Sequence, residues 1–165
     1  MRIENIFQDW KCNRHNPKGQ LVLMHYRLAR IIKGNKLLFI CFFWYLVLYI
    51  LIIEWLMGIE LRWNVTAGKN LQLYHGVGLV VHPNVVIGDN CVLRQCTTIG
   101  NKGVTLDDLP VIGNNVDIGA NVSILGNITI GDNVIIGAGS VVVKSVSSNC
   151  VIAGNPARVI KILSN

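Results

Sequence analysis

The chain is poor in the residues and motifs on which many enzymes and binding proteins depend. Only 15% of its 165 residues are charged, and it holds four histidines and five cysteines. No Cys or His spacing matches a zinc site, which needs three or four suitably placed ligands. No glycine-rich phosphate loop and no Gly-x-Ser-x-Gly element occurs either. Zinc chemistry, P-loop nucleotide binding and serine hydrolysis are therefore not indicated, and no metal is expected.

Other missing features limit the cellular compartment and the binding partners that we expect for this chain. No secretory signal is present at the N-terminus, where Glu4 precedes any apolar stretch. The odd number of cysteines predicts reduced thiols in a cytoplasmic protein. The formal charge is +6, but the lysines and arginines are scattered and form no patch interleaved with aromatics. Nucleic acid is therefore not expected as a partner, whereas phosphorylated cofactors and anionic lipids suit the charge.

The first 36 residues predict an amphipathic helix. Apolar residues recur there at three- and four-residue intervals, at Leu21, Met24, Leu28 and Ile31. This spacing places Tyr26, Arg27 and Arg30 toward the wetter sides of the helix. The pair Gly34-Asn35 is a stop signal.

Residues 37–53 form an unbroken apolar run that extends, past Glu54, to residue 57. Its length lies at the lower limit for a membrane span. Lys33 and Lys36 precede it, and the positive-inside rule would then export the rest of the chain, away from cytosolic cofactors. Three alternatives stay open: a helix buried within the protein or its oligomer, peripheral contact with the inner face of the membrane, and a true span.

The second half of the chain carries a six-residue repeat. Aliphatic residues stand at Ile112, Ile118, Ile124, Ile130, Ile136 and Val142, and small or β-branched residues follow each of them by four. This period is typical of a parallel β-helix in which each side of a coil is one hexapeptide. Gly, Asn and Asp follow the aliphatic positions and predict corners with positive φ. The fold is therefore predicted to be mainly β, with a helical segment over residues 1–60, including an apolar helix over 37–57. The β-helix domain would cover 61–165 and end in a C-terminal cap.

The repeat is interrupted twice. It slips by two residues between Leu73 and Val81, and Ile99 and Ile112 stand thirteen residues apart, one more than two hexapeptides. Residues 101–110 lack the pattern and predict a protruding loop. Insertions into repeats usually lie on a functional face. His75 stands beside the first interruption, which makes it a candidate catalytic residue, although a structural role is the alternative.

A set of motifs then resembles a known family. These are Glu60, His75-Gly-x-Gly, Thr98-Ile99-Gly100, Ile118-Gly119-Ala120-Asn121, Ile136-Gly137-Ala138-Gly139-Ser140 and Ala153-Gly154-Asn155-Pro156-Ala157-Arg158. Over residues 54–162 the chain is similar to the serine acetyltransferase branch of the hexapeptide acyltransferases. It resembles most the short members that act in capsule and exopolysaccharide synthesis, of the colanic-acid type.

The resemblance implies an acetyl-CoA-dependent O-acetyltransferase with a left-handed β-helix, assembled as a homotrimer with sites between subunits. His75 matches the general base, and Glu60 stands where the family has its acidic partner. The resemblance places the cofactor along Gly100, Asn101, Lys102, Gly103, Ala120, Ala138, Gly139, Arg158 and Lys161. A base that removes the hydroxyl proton during attack suits this chemistry, and the activated donor permits direct transfer.

Departures from the family motif bear on the acceptor. Tyr74 replaces an aspartate before the catalytic histidine, and Asp108 and Leu109 replace an arginine–histidine pair that helps to hold the amino acid. These changes favour a sugar hydroxyl of a capsule or exopolysaccharide over free serine, with Tyr74 and Asp108 as candidate acceptor contacts. Serine O-acetylation is the alternative, and a non-catalytic binding solenoid is a third hypothesis.

Overall fold

Three short parallel sheets form a β-solenoid in the computed structural model, which describes residues 5–103 and 108–163. Residues 104–107 of the predicted loop lie outside the described residues. Two α-helices and a π-helical segment precede the solenoid: α1 (Pro17–Gly34), α2 (Lys36–Tyr49) and Ile50–Leu56. The strands are β1 (Ile59–Leu61), β2 (Thr66–Ala67), β3 (Gln72–Tyr74), β4 (Leu79–Val81), β5 (Val86–Ile87), β6 (Val92–Arg94), β7 (Thr98–Gly100), β8 (Val111–Ile112), β9 (Asp117–Ile118), β10 (Ser123–Leu125), β11 (Thr129–Ile130), β12 (Val134–Ile136), β13 (Val141–Val142), β14 (Cys150–Gly154) and β15 (Ala157–Ile162).

Every third strand falls in the same sheet, so three strands make one coil. Sheet A has the order β1-β4-β7-β10-β13, sheet B β11-β8-β5-β2 and sheet C β15-β14-β12-β9-β6-β3. All pairs are parallel except the last, β14 with β15, which is antiparallel. About four coils result, as the hexapeptide period predicts. The first strand begins at Ile59, two residues before the predicted start of the domain at residue 61.

The aliphatic ladder forms the core, as predicted. All six rungs from Ile112 to Val142 are buried, and so are five of the six residues that follow them by four: Val116, Val122, Ile128, Val134 and Ser140, whereas Val146 is partly buried. Burying a side chain of this size contributes roughly 1.5–3 kcal/mol. Cys91 points into the core, and burial raises the pKa of its thiol to about 11. All five cysteines are free thiols.

One corner of the solenoid is held by a ladder of asparagine side chains. Each Nδ2 donates to the Oδ1 of the asparagine one coil above, at 2.7–2.9 Å, and each residue has a φ of 55–60°. The members are Asn70, Asn90, Asn115, Asn133 and Asn149. The neighbouring glycines, such as Gly88 and Gly113, do not have the predicted positive φ. Instead they leave room for the next coil: a Cβ on Gly88 would stand 2.4 Å from the carbonyl oxygen of Gly113. They are required because the coils pack closely there.

The N-terminal segment closes the open edge of the first coil. Asp9 accepts from the backbone N–H of Leu71, and Asn13 bonds both the Leu71 carbonyl and the Leu73 N–H. Arg27 donates to Asp9 and to the carbonyls of Ala67 and Gly68. These side chains take the place of a neighbouring strand, since buried backbone groups need partners.

This cap corrects the predicted faces of α1. The helix and its end at Gly34 are as predicted, but Tyr26 and Arg27 are fully buried against the solenoid, whereas Leu21 is half exposed. The spacing of the apolar residues predicted the helix correctly. The helix face that packs inward is nevertheless the one with hydrogen-bond donors, because the first coil presents unpaired backbone carbonyls there. Asn16 caps the helix by accepting from the N–H of Gly19.

The apolar run forms a continuous helical segment over Lys36–Leu56, kinked at Phe42. By length and composition alone it could cross a membrane, and because only 22% of its apolar window is buried it is not a core helix of this chain. Its inner side packs on α1 and the first coil, where the Tyr49 hydroxyl donates to the Leu61 carbonyl and buried Glu54 pairs with Arg62 at 3.0 Å. A bilayer could therefore meet only the outer side of this helix without displacing those elements.

The asparagine ladder gives a testable prediction. Replacing Asn115 by Ala removes two side-chain hydrogen bonds. It also leaves at a φ of 55° a residue whose side chain cannot form the local hydrogen bonds that make this conformation tolerable for asparagine. We expect a loss of about 2–3 kcal/mol in the free energy of unfolding, from the bonds and the left-handed conformation together. Urea unfolding followed by circular dichroism measures the change.

Asn115→Gly is the matched control, since it loses the same bonds but tolerates the positive φ. It should be less destabilised than Asn115→Ala. Equal stability of the alanine variant and the original chain would contradict the role of the ladder.

Candidate active site

His75 lies on a strained turn at the corner between sheets C and A. Its φ is 63°, and the N–H of Gly76 donates to the carbonyl of Tyr74 at 2.7 Å. A three-residue turn of this kind with positive φ is rare and strained, although His tolerates the left-handed region better than most residues. The side chain is exposed. Such strain is found most often at functional sites, which supports the choice of His75 among the four histidines.

The two extra residues predicted from the slip in the repeat form this turn. Gly78 donates its N–H to the carbonyl of Gly58 at 2.7 Å, and Leu79 donates to Gly76 at 2.9 Å. Gly76 and Gly78 both have positive φ, and a Cβ on Gly76 would stand 2.9 Å from the side chain of Ile59. The extra residues thus push the histidine outward while the coil returns to register at β4.

Glu60 lies at the centre of β1, with its side chain exposed on the outer face of sheet A. The turn that carries His75 is tied to Gly58, two residues before Glu60. Within the described part of the chain no hydrogen bond joins Glu60 to His75. The acid–base pairing of these two residues therefore stays a prediction.

The corner of His75 continues upward as a column of small residues. The pairing of Tyr74 with Arg94 puts His75 level with Gln95, and the register of the next strands places Ala120 and Ala138 above it. Backbone bonds connect the column: Asn121 N–H to Gln95 O at 3.1 Å and Gly139 N–H to Ala120 O at 2.8 Å. The structure therefore brings Ala120, Ala138 and Gly139 to the same corner as His75.

Bare backbone flanks the upper part of this column. Gly119 and Gly137 precede the two alanines, and a Cβ on Gly119 would stand 2.6 Å from the backbone nitrogen of Ala138. The outer surface beside Ala120 and Ala138 therefore carries no large side chain from these positions; this strip of bare backbone and methyl groups is called the trough below. An extended, slender ligand could lie along it.

The loop residues lie at a different corner, between sheets A and B. Gly100 ends β7, and Asn101 accepts from the N–H of Gly103 at 3.1 Å. The Lys102 side chain passes over Gly126, and its Nζ donates to the carbonyl of Val143 at 3.4 Å. Asp108 is half buried at the return of the loop. Within one chain, sheet A separates these residues from His75.

The two basic residues of the tail lie on β15. Arg158 pairs with Ala153 and Lys161 with Val151 on β14, and both side chains are exposed. Ala153 is one coil above Gly137, so Arg158 stands near the upper end of the corner column. Of the predicted residues, Tyr74, His75, Ala120, Ala138, Gly139 and Arg158 thus follow one corner. Lys161 stands three residues farther along β15 from that corner, and Gly100, Asn101, Lys102, Gly103 and Asp108 lie at another.

Sequence reasoning missed three residues on the coils above His75. Arg94 and Asp117 form an ion pair on the outer face of sheet C, and the Arg94 guanidinium lies 5.8 Å from the centre of the Tyr74 ring. Gln95 has a buried Oε1 without a hydrogen-bond partner among the described residues. The six-residue period places Arg94 on the outer face, but the diagonal pairing with Asp117 depends on a register that the loop insertion conceals.

The remaining histidines have local partners. His25 bonds the Tyr45 hydroxyl at 2.6 Å, and burial lowers the pKa of His25 and raises that of Tyr45 to about 12. His82 contacts the carbonyl of Pro83 at 2.6 Å. Within residues 5–103 and 108–163, no group of three His, Cys, Asp or Glu side chains could hold a metal ion.

Comparison with known proteins finds the family model described as "Bacterial transferase hexapeptide (six repeats)" over residues 110–144. The chain is 39% identical to the "Putative colanic acid biosynthesis acetyltransferase WcaB" of Escherichia coli (strain K12), over 93% of this chain and 98% of that protein. It is 42% identical to a "Serine acetyltransferase" of Synechococcus elongatus, over 64% of this chain and 43% of that protein.

Solved structures show the same likeness. The "Serine acetyltransferase in complex with Coenzyme A from Brucella abortus strain S19" superimposes with a TM-score of 0.81 at 30% identity. The superposition covers 96% of this chain and 67% of that protein. The "Soybean Serine Acetyltransferase Complexed with Serine" gives a TM-score of 0.81 at 31% identity, over 94% and 68%.

Proposed function

This chain belongs to the hexapeptide-repeat acetyltransferases, and we propose that it transfers an acetyl group from acetyl-CoA to a sugar hydroxyl in capsule or exopolysaccharide synthesis. The observation that carries the proposal is the exposed His75 on its strained turn, at the foot of the trough beside Ala120 and Ala138. A basic side chain and a groove for an extended donor occupy one corner of the solenoid.

His75 acts as the general base in this proposal. A hydroxyl is a weak nucleophile until its proton is removed, and the neutral imidazole of a histidine can accept that proton. Glu60 is the partner that would hold the ring and stabilise its charged form. The hydroxyl oxygen forms a bond with the acetyl carbon as the carbon–sulfur bond breaks, and the proton passes through His75 to the leaving thiolate. No covalent intermediate on the protein is needed.

The trough is the proposed path of the pantetheine arm. Bare backbone at Gly119 and Gly137 permits close approach, and Gly139 extends the path. Arg158 and Lys161 supply positive charge for the phosphates at the upper end. The loop residues Gly100–Gly103 cannot reach this corner within their own chain. A homotrimer, with the loop of one copy against the corner of the next, would complete the site.

A sugar acceptor is favoured by two observations. Tyr74, beside the base, offers an aromatic surface rather than the charge that a zwitterionic amino acid needs. The chain also spans 98% of its colanic-acid relative but only 43% of the Synechococcus serine acetyltransferase. Serine O-acetylation is the second candidate, supported by the structural likeness to serine acetyltransferases. A non-catalytic solenoid, the third hypothesis, predicts no binding of CoA in calorimetry.

The role of His75 is tested by His75→Asn. Asparagine tolerates the positive φ of the turn, so the fold should persist while the base is lost. We expect the rate of acetyl transfer, measured as thiol released from acetyl-CoA with sugar acceptors, to fall by roughly 10²–10⁴-fold.

His15→Ala is the control, because His15 is exposed on the N-terminal segment and bonds only the adjacent Arg14 side chain. Its activity should equal that of the original chain. Full activity in a folded His75→Asn variant would overturn the mechanism, and transfer to L-serine but to no sugar would favour the second candidate.

The position of the cofactor is tested through two exposed thiols. Cys96 lies on the corner, where a Cβ on Gly78 would stand 3.2 Å from its Sγ, whereas Cys41 lies on α2. Acetyl-CoA, whose own thiol is blocked, should slow the alkylation of Cys96 by iodoacetamide and leave Cys41 unchanged. Mass spectrometry of the labelled peptides measures both rates; equal rates at Cys96 with and without acetyl-CoA would contradict the assigned path.

We also propose that the outer side of the Lys36–Leu56 helix contacts the inner face of the membrane. Trp55 and Leu56 are 76% and 80% exposed, and Lys33 and Lys36 lie at the other end of the helix. Apolar side chains with flanking positive charge suit an anionic bilayer surface. This location would bring the enzyme to lipid-linked glycan acceptors.

Trp55→Ser with Leu56→Ser tests the membrane contact. Each exposed apolar side chain that enters lipid contributes on the order of 1–3 kcal/mol, so sedimentation with phosphatidylglycerol vesicles should weaken by at least about tenfold. Val159→Ser, an exposed position on β15, is the control and should bind as before. Unchanged vesicle binding together with a smaller assembly in analytical ultracentrifugation would identify the helix as a contact between copies instead.

A further inference from the structure

Tyr74, Arg94 and Asp117 form one cluster on three successive coils of sheet C. The Arg94 Nη1 pairs with the Asp117 carboxylate and donates to the Ile118 carbonyl at 2.9 Å. The Arg94 guanidinium lies 5.8 Å from the Tyr74 ring centre, and the Tyr74 hydroxyl donates to Gln72 at 3.2 Å. All three side chains of the cluster remain partly open to solvent. The cluster is thus held in place while its outer surface is free.

Tyr74 and Arg94 occupy the lower end of the row that forms the trough, and Asp117 lies two residues to the side of that row, on the coil of Gly119. Residues nearest the corner on successive coils are Tyr74, Arg94, Gly119 and Gly137. The row is therefore bulky and polar beside His75 and bare beside Ala120 and Ala138. If the donor lies over the glycines, the acceptor must approach from the other end, where the cluster stands.

The charges of the cluster restrict the acceptor. Arg94 and Asp117 largely neutralise each other, so an anionic or zwitterionic acceptor gains little net electrostatic attraction from this partly exposed pair. A neutral sugar does not need that attraction: its hydroxyls can bond the outer edges of the guanidinium and the carboxylate, and its C–H face can lie on the Tyr74 ring. The chemistry of the cluster is that of a neutral polyhydroxylated ring.

We propose that Tyr74, Arg94 and Asp117 form the acceptor site and select a neutral hexopyranose over an amino acid or a uronic acid. The proposal rests on the proposed function, and it adds to that function the residues and the charge class of the acceptor. Tyr74 supplies the stacking surface. The Arg94–Asp117 pair supplies hydrogen bonds and excludes charge.

Kinetics with matched acceptors test the selection. Methyl glucopyranoside and methyl glucuronide differ only in the carboxylate, and methyl galactopyranoside, methyl mannopyranoside and L-serine complete the panel. The original chain should prefer the neutral glycosides in kcat/KM. Tyr74→Ala should raise the KM for the neutral glycoside by about three- to tenfold, with the KM for acetyl-CoA unchanged. Tyr74→Phe keeps the ring and should retain the original KM, as should Phe7→Ala, which removes an exposed aromatic on the N-terminal segment.

Asp117→Asn gives a readout that a structural role would not produce. It leaves the positive charge of Arg94 without its partner, so the ratio of kcat/KM for methyl glucuronide to that for methyl glucopyranoside should rise. Saturation-transfer NMR with the methyl glycosides measures binding without turnover and should show contact in the original chain and reduced contact in Tyr74→Ala.

The outcomes separate the two proposals. If His75→Asn abolishes transfer to a glycoside while Tyr74→Ala and Asp117→Asn keep the original KM and selectivity, the acceptor site is wrong and the function stands. The same holds if the original chain prefers the glucuronide. If the original chain neither binds nor acetylates any methyl glycoside, the acceptor site is overturned; acetylation of L-serine in that case overturns the proposed function as well.

Discussion

Hydrogen bonding between stacked coils is the constraint on which the rest of the structure depends. Each coil buries its aliphatic rungs only if the backbone above and below stays in register, and the asparagine ladder repeats that register at one corner. Both ends of such a stack leave open strand edges, which would bind other chains if uncovered. At one end of the stack, Asp9, Asn13 and Arg27 of the N-terminal segment cover the open edge. At the other end, the antiparallel strand β15 covers the open edge of sheet C. Asp9, Asn13 and Arg27, half of the six buried polar residues in the described part of the chain, therefore belong to the N-terminal cap.

Because the coils stack so regularly, extra residues cannot be absorbed and must leave the surface. The chain uses this in two places, the two-residue insertion at His75 and the longer insertion after Gly100. The first lifts an imidazole onto a strained turn, and the second carries Lys102 across two coils toward Val143. The regular coils place Gly119 and Gly137 one above the other and so form the trough. In the proposed function, the reactive imidazole thus lies where the repeat is broken, and the donor-binding surface lies where it is kept.

The proposed acceptor site lies on positions that the scaffold leaves free to vary. The hexapeptide framework and the corner column depend on small residues whose replacement would disturb the stacking. The outer positions of sheet C are free of that requirement, so Tyr74, Arg94 and Asp117 can change without altering the coils. In the proposed function, the donor site belongs to the framework and the acceptor site to these outer positions. This division accounts for the likeness of the chain both to a colanic-acid acetyltransferase and to serine acetyltransferases.

The six-residue ladder by itself determined the solenoid, its buried rungs and the two interruptions, because a period of six repeats every contact along the stack. The helix over Pro17–Gly34 followed from its periodicity, and the place of His75 beside the slip predicts it as a catalytic candidate. The tertiary structure alone decided that Tyr26 and Arg27 face inward, since their partners are backbone carbonyls of a distant coil edge. It also decided that Arg94 meets Asp117, 23 residues later, and that Gly100–Gly103 lie away from His75 within one chain. Such pairings join residues whose separation in sequence carries no period, so only the stacked coordinates define them.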